Sequence, residues 1–196
     1  PPPDGGVADG TPPPDPGDPM QPPPPIDPTS LTPPVPYANQ VDAAIAEFDK
    51  QRGYVKGCPD AVQQARALEA LSCVLADARA IDLLGKILVS NAELPLVRKR
   101  AAEMLGESRS SAAVPALSSG FEASLAETEV AHATIVSLGR IDSAVSVKAL
   151  FAVARGWMKA ADEERDYTYA NAALLSTSRM RRREAVDALL GFWAGL

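Results

Sequence analysis

Between Tyr37 and Leu196 apolar side chains return every three or four residues, whereas the first 36 residues hold only Val7, Met20, Ile26, Leu31 and Val35 as sizeable apolar groups. That spacing is the stripe a helix buries against its neighbours. It predicts nine helices, over 38–52, 61–75, 78–90, 94–106, 111–125, 128–139, 143–159, 165–177 and 181–194. Pro59, Pro95 and Pro115 fall at or near the start of three of them, where a missing amide proton costs little.

The pattern also repeats. Val97, Ala102, Leu105, Gly106, Val114, Ala116 and Leu117 are matched 33 residues later by Val130, Ile135, Leu138, Gly139, Val147, Ala149 and Leu150. At an offset of 34 before this unit, Arg66, Glu69 and Leu71 fall on Arg100, Glu103 and Leu105, and Leu83 falls on Leu117. At an offset of 39 after it, Leu174 falls on Ile135 and Leu189 on Leu150, the extra residues lying in the acidic loop from Ala161 to Asp166. A fixed period of this size marks stacked helix–turn–helix units, with insertions in their loops. Gly106 and Gly139 sit where the first helix of a unit ends, a position that favours a left-handed residue.

The run Val-Arg-x-x-Ala-Ala-x-x-Leu-Gly from Val97 to Gly106, followed by Val-Pro-Ala-Leu from Val114 to Leu117, resembles the HEAT repeat family, in particular the HEAT-like repeats of the phycobilisome-lyase type. The resemblance covers residues from about 60 to 196. It departs after the turn, where an acidic residue is common: Asp142 fits, but the preceding unit has Ser110 or Ser111. It implies an all-α fold, a right-handed α-α superhelix of about four repeats, and a role as an interaction surface, since fold alone carries no chemistry.

Composition separates an arm from this domain. Sixteen of the 19 prolines lie in residues 1–36, which carry five Asp and neither Lys nor Arg. Such a segment cannot build a core, and its prolines favour an extended or disordered, semi-rigid spacer reaching on the order of 100 Å. The expected division is therefore a proline-rich arm over 1–36 and a helical domain over 37–196. Pro22 to Pro25 and Pro33 to Pro36 also have the form of a ligand for an aromatic groove. The opening on Pro1 without Met suggests a processed mature protein or an excised fragment, and the acidic Pro/Asp arm is similar to the linker behind the lipidated cysteine of bacterial surface lipoproteins. That places the expected location in the cell envelope, periplasm or cell surface, with a possible lipid anchor upstream of residue 1; a cytoplasmic location stays open. No apolar run is long enough to span a bilayer.

The net charge of −6 reduces to about −1 once the arm's five Asp are set aside. A nearly neutral domain argues against nucleic acid, whose binders carry a basic excess. Only Arg179, Arg181, Arg182 and Arg183 could serve an anionic ligand; they sit at the start of the last helix, where cations oppose the helix dipole, and the acidic loop from Asp162 to Asp166 is an internal candidate to compensate them. The single histidine, His132, has no second ligand at metal spacing, and no phosphate loop, nucleophile elbow or metal-binding helix motif is present. No cofactor and no catalysis are expected. Cys58 and Cys73 are a candidate disulfide, but one helix holding both would separate them by about 22 Å, beyond the reach of a bond. Otherwise Cys73 is expected as a core thiol.

Stacked units place equivalent positions side by side. One ladder runs Glu69, Glu103, Val136, Leu175; a second Arg66, Arg100, Ala133, Ala172; a third Ala65, Lys99, His132, Asn171. This face turns from charged to apolar along the chain, which nominates Val136 and Leu175 as partner-binding residues; the alternative is a variation in packing angle that buries both. Phe192 and Trp193, in a last helix apolar nearly all round, are further candidates, the alternative being that this helix packs inward as an irregular cap. The expected function is a non-catalytic protein-binding module tethered by the arm, as a subunit of a larger complex. The alternatives are a HEAT-type lyase or enzyme accessory subunit, and anionic-ligand or nucleic-acid binding through the arginines.

Overall fold

A computed structural model describes residues 36–55, 60–160 and 167–194. Among these residues every regular element is helical. The α-helices are α1 (Pro36–Val55), α2 (Ala61–Ala67), α3 (Ala78–Val89), α4 (Pro95–Glu107), α5 (Val114–Ala123), α6 (Thr128–Arg140), α7 (Ala144–Ala160), α8 (Thr168–Ser178) and α9 (Arg183–Trp193). A 3₁₀ segment, Leu68–Val74, continues α2, and a single 3₁₀ turn, Ser111–Ala113, leads into α5.

Local chemistry sets these boundaries. The Asp60 carboxylate accepts from the amides of Val62 and Gln63 and opens α2, and Asp77 opens α3 by accepting from Arg79. Each satisfies amides that the first helical turn leaves without partners. Pro95 and Pro115 stand in the first turns of α4 and α5, as the sequence predicts.

The even-numbered helices form one layer: α4 packs between α2 and α6, and α6 between α4 and α8. In the other layer α5 packs between α3 and α7, and α7 meets α9. Val97 and Val130, Leu105 and Leu138, Val114 and Val147, and Leu117 and Leu150 are all buried in one continuous core. The 33-residue repeat is thus a packing repeat, since equivalent residues occupy equivalent interior positions. Earlier in the chain the register differs from the sequence alignment. Leu84 is fully buried and Leu83 only half-buried, so α3 matches α5 at an offset of 33.

The two repeat glycines do a different job from the one their position suggests. Gly106 and Gly139 lie within α4 and α6, and neither is left-handed. A Cβ on Gly106 would come within 2.7 Å of Ser137 Cβ and 2.8 Å of its Cα, and one on Gly139 within 2.8 Å of Ser176 Cβ. Ser137 and Ser176 are themselves equivalent positions. The same glycine-to-serine contact therefore brings α4 against α6 and α6 against α8. The left-handed residue after α4 is Arg109, at φ 51°.

Aromatic side chains are few and concentrated. Tyr169 of α8 meets Trp157 of α7 edge-on at 4.8 Å and Phe121 of α5 at 5.5 Å. Phe192 of α9 packs on Phe151 of α7 at 5.9 Å. These contacts close the C-terminal end of the stack.

Candidate functional site

The layer formed by α2, α4, α6 and α8 presents the predicted ladders. At its N-terminal end Arg100 and Lys99 are in ion pairs, while Arg66 is exposed and in none with a described carboxylate. Arg100 Nε donates to Glu69 Oε1 across the α4 interface at 2.7 Å, and its Nη1 donates to Glu107 at 3.0 Å and Glu103 at 3.3 Å. The hydrogen bond to Glu69 raises the Arg100 pKa further, against partial burial and with help from Glu107. Lys99 pairs with Glu129 of α6 at 3.1 Å. These cations are committed to neighbouring repeats.

Past α4 the polar pairing stops. Lys99, Glu103, His132, Val136 and Arg140 line a shallow depression of about 430 Å³ between α4 and α6. Val136 is half-buried on its floor, His132 is exposed, and Leu175 on α8 is 53% exposed, beside exposed Asn171. The face therefore changes from charged pairs to an apolar strip, with both predicted apolar residues reachable.

The basic residues divide. Arg182 is partly covered: its Nη1 donates to the Asp142 carbonyl at 3.1 Å and its Nη2 approaches Glu184 at 3.5 Å. Arg183 reaches Asp187 at 3.6 Å but is otherwise solvated. The cations at the start of α9 are thus offset within that helix by Glu184 and Asp187; the acidic loop residues at 162–166 lie outside the described residues. Arg179 and Arg181 are exposed and in no ion pair with a described carboxylate.

Phe192 is 9% exposed and sits on Phe151, which removes it from the candidate surface. Burial of Phe192 turns the opposite side of α9 outward, and Val186, Leu190 and Trp193 are its exposed apolar residues. Cys73 is an exposed free thiol and not a core residue, because Leu71 and Val74 take the inward positions of the 3₁₀ segment. Cys58, Pro59 and the arm lie outside the described residues.

One important side chain has a role the sequence reading misses. Arg98 is fully buried. Its Nε donates to the Leu88 carbonyl (2.8 Å), Nη1 to Glu127 Oε1 (2.7 Å), and Nη2 to the Ala123 carbonyl (3.1 Å) and Ser124 Oγ (2.8 Å). The carbonyls belong to the ends of α3 and α5, where a cation offsets the helix dipole. A signal existed: Arg98, Ala101, Ala102 and Leu105 share the spacing of one helix stripe, which puts a cation on the core side of α4.

No group of three or more His, Cys, Asp or Glu among the described residues could hold a metal ion, and none of their helices is long and apolar enough to cross a membrane. Comparison of the chain with protein-family models, with curated proteins and with solved structures finds no match.

Proposed function

We propose that residues 37–196 form a HEAT-type solenoid that binds a protein partner without catalysis, and that the proline-rich arm tethers it, with a cell-envelope lipoprotein as the favoured setting. The observation that carries this reading is the change of character along one helical layer. Of its cations Lys99 and Arg100 are spent on inter-repeat pairs and Arg66 is exposed, while Val136 and Leu175 continue the same ladder as accessible apolar positions. An apolar strip rimmed by His132, Asn171 and Arg140 has the make-up of a protein-binding surface. The arm's composition supports the tether, and the Val97–Gly106 motif supports the family assignment.

Substituting Val136 and Leu175 together with Asp tests this. Retention of a partner from native extract should be lost while the thermal transition stays within a few degrees of the parent. Unfolding of the double variant would make half-buried Val136 a core residue, and full retention would place the binding surface elsewhere.

A further inference from the structure

A second surface runs along the turns that connect the two layers. The helix ends that feed it are held in register by the Gly106–Ser137 and Gly139–Ser176 contacts. Arg109, which follows α4, and Arg140, which ends α6, line a common depression of about 570 Å³ together with Glu107 and Asp142. The Asp142 carbonyl is held by Arg182, which brings the segment after α8 against the same turn, and Arg179 and Arg181 lie on that segment. Arg140 and Arg179 are equivalent positions 39 residues apart.

Arg109, Arg140, Arg179 and Arg181 are all exposed, and none is in an ion pair with a described carboxylate. That contrasts with the ladder face, where Lys99 and Arg100 are neutralised locally. Arg109 also keeps a left-handed backbone at a position where glycine is favoured.

We propose that this turn edge is a docking surface for an extended acidic segment of a partner protein. Guanidinium groups bind carboxylates through paired donors. Helices in one layer lie about 8–10 Å apart, and a chain in polyproline II geometry advances about 3.1 Å per residue with three residues per turn, so that every third side chain shares a face. Carboxylates at every third residue would thus meet the arginines of successive repeats. A peptide fits better than a nucleic acid because Glu107 and Asp142 interrupt the edge, whereas a continuous phosphate backbone would pass over both. This surface meets the Val136 and Leu175 strip at Arg140, which lines both, and an acidic peptide without apolar side chains reads the arginine edge alone.

The test is fluorescence anisotropy with the full chain at low salt and a labelled twelve-residue peptide of repeating Glu-Gly-Ser. Saturable binding is expected, at least tenfold weaker for the double variant Arg140→Gln, Arg179→Gln and unchanged for Lys50→Gln, Lys86→Gln. The same peptide with Gln for Glu should not bind. Absence of saturable binding, equal weakening by both double variants, or tighter binding of a single-stranded oligothymidylate of twelve nucleotides would each overturn the proposal.

Discussion

Arg98 concentrates more of the fold's polar energetics than any other described side chain. Its guanidinium satisfies two helix-terminal carbonyls, a serine and a glutamate from a fully buried position. Removing one partner of a buried charged network leaves the others uncompensated, which costs about 3–5 kcal/mol. Arg98→Met, which keeps the side chain's bulk, should therefore lower the unfolding free energy in urea by that amount. A loss under about 1 kcal/mol would show that solvent replaces the network. Arg109 offers the opposite case. Its φ of 51° suits glycine, and relief of a left-handed side chain, less the entropy glycine brings to the unfolded chain, amounts to about 0.5–1 kcal/mol. Arg109→Gly should raise the thermal midpoint, and by the proposal above it should also weaken the acidic peptide.

At the scale of elements, glycines with the same helical context have opposite roles. Gly156 lies inside α7 with open space where a Cβ would go, so Gly156→Ala should stabilise by about 1 kcal/mol. Gly106→Ala would instead press a methyl against the Ser137 backbone and should destabilise by about 1–3 kcal/mol. Calorimetry of the two variants side by side separates packing from propensity. In α9, Glu184 is held below the usual carboxylate range by its own backbone amide and then by Arg182. A depressed folded value means that this contribution is present at neutral pH and lost as pH falls through it. The Tm difference between the parent and Glu184→Gln should accordingly be largest at neutral pH and vanish in acid.

The helices themselves were legible from apolar spacing, reinforced by capping Asp at α2 and α3 and by first-turn Pro at α4 and α5. The repeat glycines were legible as important but not for the right reason: a motif shows that a position is constrained, and only the neighbouring helix shows what constrains it. Leu83 was matched to Leu117 because both are leucine, and the choice between adjacent Leu83 and Leu84 needs the packed partner. Of the candidate surface, Val136 and Leu175 followed from ladder arithmetic. Phe192 did not, because a helix apolar on most sides gives no sign of which side is covered.

At the scale of the molecule, the stack couples each repeat mainly to its neighbours. The helices α4 and α6 are packed on both sides within their layer, while α9 packs mainly on α7 and α8 and leaves Val186, Leu190 and Trp193 in solvent. Native-state hydrogen exchange should therefore open α9 first and α4 and α6 last. A polar ladder at one end of the shared layer and an apolar strip at the other would then be two regions of one surface, stiffened by Arg98 beneath.

The most direct test of that surface is Leu175→Asp alone, because Leu175 is exposed and its replacement on a helix surface costs under about 1 kcal/mol. Affinity capture from native extract with the parent and this variant, at matched thermal midpoints, should show the same retained protein with the parent and its loss with the variant. Equal retention by both proteins would contradict the account.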